Sequence, residues 1–106
     1  MEEREFNAAA DAMLARLEAA LEAASGDGFD FEIAPGGVIE VEFDDGSKII
    51  VNRHTAAREI WVAARSGGFH FRPEGGKWLG TRDGAELLEA LSRCISEQAG
   101  RRVVLA

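Results

Sequence analysis

The spacing of apolar residues changes period twice along this chain of 106 residues, and that double switch constrains the fold more than any other feature. From Glu5 to Ala24, the residues Phe6, Ala10, Met13, Leu14, Leu17 and Leu21 recur at helical spacing, in a segment rich in alanine. Ser25-Gly26-Asp27-Gly28 ends this first helix, with glycine placed where left-handed backbone is cheap. The period then falls to 2. Phe29, Phe31 and Ile33 alternate with Asp30 and Glu32, and Val38-Ile39, Val41 and Phe43 alternate with Glu40 and Glu42. Asp44-Asp45-Gly46-Ser47 signals a hairpin into Lys48–Arg53. Further strands are predicted at 60–64, 69–71 and 77–79, separated by Ser66-Gly67-Gly68 and Pro73-Glu74-Gly75-Gly76.

The helical period returns at the end. Leu87, Leu88, Leu91, Cys94 and Ile95 share a face, and Asp83 followed by Glu86 resembles a capping box, which predicts a helix opening at Thr81 or Asp83 and ending at Gly100. The apolar tail Val103-Val104-Leu105 is expected to pack back on the core. An α+β fold follows: one domain over residues 1–106, a two-layer α/β sandwich with two helices packed on one face of an antiparallel sheet of five to six strands. The other sheet face stays exposed.

Charge bears on partners rather than on fold. The net −7 conceals 13 acids against Arg4 and Arg16 in residues 1–45, a local −11, and a balance of +4 over residues 46–106. Such a negative half repels phosphate backbones, so nucleic acid is not expected as a partner. No apolar run reaches the ~18 residues of a membrane span, and the acidic start is unlike a targeting signal. With one cysteine, Cys94, there is no internal disulfide framework. A cytoplasmic, soluble monomer is the expectation, with oligomers only where cations screen the acids.

Catalytic signatures are absent: no glycine-rich phosphate loop, no nucleophile elbow and no paired zinc histidines. Cys94 lies on the apolar side of its helix, where a free cysteine is normally a small core residue. His54 follows a strand end without a partner, and His70 projects opposite Phe69 and Phe71. The acids form the stronger constellation. Asp11, Glu18 and Glu22 fall within about 40° on the first helix at ~100° per residue, away from its apolar stripe. Asp27, Asp30 and Glu32 continue the line into the first strand, provided that strand is a sheet edge beside the helix. Exposed carboxylates suit hard cations such as Mg²⁺, Ca²⁺, Mn²⁺ or Fe²⁺, held weakly. The same stripe also fits the ordinary charged wet face of a surface helix. Asn52 and Trp61 mark the sheet surface as a second candidate, although parity alone leaves open whether Trp61 and Trp78 face solvent or the helices.

The stretches 36–43, 45–53, 60–63 and 66–71, with Trp78 and Gln98-Ala99-Gly100, resemble the bacterial frataxin family along nearly the full chain. The resemblance implies the same two-layer sandwich and a role in iron–sulfur cluster assembly. It implies a non-enzymatic regulator that docks on a cysteine desulfurase and its iron–sulfur scaffold protein and binds Fe²⁺ or Fe³⁺ weakly through an acidic ridge. An iron chaperone delivering Fe²⁺ is the alternative. A ferroxidase is less favoured, because Glu18 and Glu22 have no histidine beside them on the helix. Carried over position by position, the metal residues are Glu18, Glu22, Asp27, Asp30 and Glu32, to which Asp11 is added from its place on the helix stripe. The partner-binding residues are Glu18, Glu22, Asp30 and Glu32 with Asn52, Arg53 and Trp61 of the sheet surface. The chain departs from the family where Ala19 and Ala23 replace second acids of the ridge, where Asn7 replaces a histidine, and where His54 and Ala56 follow the Asn-Arg step.

Overall fold

The computed structural model describes residues Met1–Ala106. Helix α1 (Glu3–Ala24) leads into strands β1 (Phe29–Ala34), β2 (Val38–Phe43), β3 (Lys48–His54), β4 (Glu59–Ala64), β5 (Gly67–Glu74) and β6 (Lys77–Gly80), and helix α2 (Leu87–Ala99) follows. The six strands form one antiparallel meander in chain order, so β1 and β6 are the two edges. This is the expected architecture, with the strand number settled at six. No helix is long and apolar enough to cross a membrane.

Register sorts the side chains between two faces. Phe29, Phe43, Val41, Ile49, Ile39, Val51, Val62, Ile60 and Phe71 point to the helices and are buried. They meet Phe6, Ala10, Leu14, Leu17 and Leu21 of α1 and Leu87, Leu91, Cys94 and Ile95 of α2 in one core. Burial of this apolar surface is the main favourable term holding the layers together. Trp78 belongs to it, packed edge-on against Phe6 with ring centroids 5.8 Å apart.

Polar groups fasten the periphery. The Asp45 carboxylate accepts from Ser47 N (2.9 Å) and Ser47 Oγ (2.6 Å), and Gly46 takes φ +86° in the hairpin. Gln98, buried at the end of α2, donates to Ser47 Oγ at 3.0 Å and accepts from Arg65 N at 3.0 Å, so it ties the helix to two turns. The tail lies on α2 as expected: Val103 N and Leu105 N donate to Ser96 Oγ and Ser92 Oγ, and Val103 and Leu105 are buried.

Helix α1 ends at Ala24, as the sequence predicts, but the start of α2 differs from expectation. Helix α2 begins at Leu87, not at Thr81 or Asp83. Asp83 accepts from Ala85 N at 3.0 Å around Gly84 at φ +73°, a turn that helical backbone cannot share, and Glu86 caps the helix by accepting from Leu88 N. Ser25, in extended backbone, caps the C-terminus of α1, and the Arg101 guanidinium donates to the carbonyls of Ala24 and Asp27. A cation there also complements the negative end of the helix dipole.

Candidate functional site

The predicted acids occupy two adjoining surfaces rather than one ridge. Strand β1 is the sheet edge that the sequence argument required. Glu18 borders a shallow depression it shares with Ile33 and Ile39, so α1 does run beside that edge. Glu18, Glu22 and Asp27 are all exposed. Asp30 and Glu32 turn the other way, onto the open face of the sheet, directly opposite Glu42 and Glu40. Like charges in register repel. Lys48 lies 3.5 Å from Glu40 and 3.7 Å from Glu42 and offsets part of that repulsion.

Two placements need correction. Asp11 is not a free member of the stripe, because it forms an ion pair with Arg53. Arg53 in turn is not on the open face. It pairs in register with buried Ile60, so its side chain points to the helix layer, where it also reaches Asn7 Oδ1 at 3.3 Å. Nor do the acids converge: no group of three or more histidine, cysteine, aspartate or glutamate side chains is arranged to hold a metal ion. Asp30, Glu32, Glu40 and Glu42 do line one shallow depression on the open face.

The open face carries a second, aromatic feature. Asn52, Trp61 and His70 form one row across β3, β4 and β5, and His54 and Glu59 pair in the next. Trp61 is half-buried and stacked between His54, at 4.0 Å, and His70, at 4.7 Å. Below them Glu59 is buried, accepting from Trp61 Nε1 at 2.8 Å and Arg72 Nε at 2.9 Å and meeting His70 Nδ1 at 3.0 Å. Between this cluster and the acids lie Ile50, Ala63 and Gly68, which keep the middle of the face low. Glu40, Glu42 and Glu59 escaped the sequence reading as site residues. The two-residue offset of Glu59 from Trp61 was the available signal, since in a strand it puts both on one face.

Burial raises the Glu59 carboxyl, but the donors from Trp61, Arg72 and His70 outweigh it and hold the group below its ordinary 4.5. Asp45 is also lowered, chiefly by the Ser47 hydroxyl and amide and further by Arg65. A carboxyl depressed in the folded state contributes stability above its unfolded value and loses it as pH falls through the folded one. The melting temperature is therefore expected to drop as the solution is acidified below about pH 4.5. Glu59→Gln should show a smaller drop over that window, measured by calorimetry. An unchanged pH profile would mean that Glu59 is not held ionised by its donors.

The site thus defines a class: a two-layer α/β sandwich whose helices cover one sheet face, with the other face and an acidic edge left open to other molecules. Comparison with known proteins narrows it. The frataxin-like domain profile matches residues 1–101. The "Iron-sulfur cluster assembly protein CyaY" of Dechloromonas aromatica (strain RCB) is 63% identical over 105 residues, covering 99% of both chains. The protein of the same name from Cupriavidus metallidurans is 51% identical over 108 residues, covering 99% of this chain and 96% of its own. Among solved structures, frataxin from Psychromonas ingrahamii superposes with a TM-score of 0.88 at 29% identity, covering 100% and 99% of the two chains. A trimeric frataxin from the yeast Saccharomyces cerevisiae superposes at 0.67 and 26% identity, over 94% of this chain and 81% of its own. The chain belongs to the frataxin-like family.

Proposed function

We propose that this chain is a non-enzymatic regulator of iron–sulfur cluster assembly that docks on the cysteine desulfurase and its scaffold protein. The name shared by its relatives supports the process. The observation that carries docking is the pair of adjoining acidic surfaces, Glu18 and Glu22 on α1 beside the β1 edge and Asp30 and Glu32 on the open face, next to a low sheet face with Trp61 at its far side. Single exposed ion pairs contribute about 0–1 kcal/mol, but several in register orient a basic groove. Aromatic anchors on a flat face supply the rest.

Iron enters this reading as cargo. Separate exposed carboxylates suit weak, water-rich binding of a hard cation. Such loose, exposed binding supports the regulatory reading over a chaperone that must hold and deliver its ion.

Affinity for the purified desulfurase–scaffold complex is expected to fall at least tenfold between low salt and about 0.3 M, where the screening length shrinks to about 6 Å. Glu18→Lys/Glu22→Lys should weaken the low-salt complex comparably, as titration calorimetry would read. A complex indifferent to both salt and charge reversal would rule out the acidic edge as its interface.

A further inference from the structure

The one buried acid of the chain lies under the open face, away from the acidic edge. An ionised carboxylate has only acceptors, so His70 Nδ1 carries the proton toward Glu59. That tautomer leaves Nε2 as a free base on a ring whose side chain is 46% exposed. Histidine is the side chain whose charge ordinarily changes between pH 5 and 8. Here the surroundings prepare for a cation: Glu59 supplies the negative partner, and the Trp61 ring stacks on the imidazole. The other charged groups near His70 are Arg72 on its own strand, His54 on β3, and Arg82, Asp83 and Arg93, which line a small cavity with it. Strand β6 puts apolar Leu79 opposite Arg72, and its Lys77 lies farther along the same face, opposite Glu74. His54, on the far side of the indole, differs in kind. Its Nδ1 is buried without a partner, where an added N–H would go unsatisfied.

We propose that His70 is a proton-operated switch in the charge of the open face: with Nδ1–H held by Glu59, protonation at Nε2 makes the stack on Trp61 cationic and tightens binding of an acidic partner surface as pH falls from 8 to 6. Its effect on docking rests on the reading of the open face as an interface, whereas the proton response of the stack stands apart from it. One added exposed charge corresponds to about a two- to fivefold gain in affinity.

The test follows the indole Nε1–H resonance of Trp61, assigned by its loss in Trp61→Phe, from pH 5 to 8. Wild type and His54→Gln should each show one step, and His70→Gln none. A flat wild-type signal, or a step that survives His70→Gln, overturns the proposal. Affinity for the purified scaffold protein at pH 6 and 8 supplies the second arm, with wild type two- to fivefold tighter at pH 6 and His70→Gln unchanged. Binding that depends on Trp61 yet ignores pH overturns the coupling. An intact indole step with binding indifferent to both Trp61→Ala and pH supports the switch and removes the docking reading of this face.

Discussion

Trp61→Ala is expected to weaken binding to the desulfurase–scaffold complex by about thirtyfold or more, the loss of one interface hot spot of at least ~2 kcal/mol. The indole is half-buried on the open face, held flat by His54 and His70 and fixed in rotation by the bond from its Nε1 to Glu59. A rigid aromatic that loses little freedom on binding makes an effective anchor. Its truncation removes no core volume, since its neighbours in register are Asn52 and His70. It does leave buried Glu59 without one of its donors, a loss of about 1–2 kcal/mol, so the melting temperature should fall by roughly 4 to 16 °C. Titration calorimetry and thermal melts on one preparation check both halves. Binding within twofold of wild type would show that the tryptophan is not an anchor.

Trp78→Ala is expected to do the reverse. Trp78 is 4% exposed and packs edge-on against Phe6 of α1, so it joins the last strand to the first helix. Removing such a ring leaves a cavity and costs about 3–5 kcal/mol. For a domain this size that is a fall of roughly 12 to 40 °C in the melting temperature. Protein that remains folded should still bind the complex. A loss below about 1 kcal/mol in denaturant titration would contradict the assignment of Trp78 to the core.

These two residues also show how far the sequence can be read. The order of helix, strands and helix is legible because apolar period is a local property, visible within a dozen residues. The face on which Trp61 or Trp78 lies is not. It depends on register with neighbouring strands, and a shift of one residue exchanges the faces. Arg53 illustrates the cost. It follows Asn52 and looks like part of the same surface, yet alternation sends it to the helix layer, where it removes Asp11 from the free acids. The acids of α1 are legible from helical angles alone. The opposition of Asp30 to Glu42 and Glu32 to Glu40 needs the turn at 35–37 to set the pairing. Glu59 is hidden for a further reason. A lone glutamate in a strand reads as a solvated residue, and only the folded sheet brings Trp61, His70 and Arg72 to it from two strands. At α2, the Asp83…Glu86 spacing imitates a helix start that the turn at Gly84 forestalls.

Anaerobic cluster assembly with purified desulfurase and scaffold tests the central claim most directly, with the rate followed without this protein, with it, and with its Glu18→Lys/Glu22→Lys variant. The docking account predicts that wild type changes the rate and that the variant, with its edge reversed in charge, leaves it near the rate without the protein. A rate altered equally by both would contradict the claim that the acidic edge is the docking surface, and a rate altered by neither would contradict the regulatory role itself.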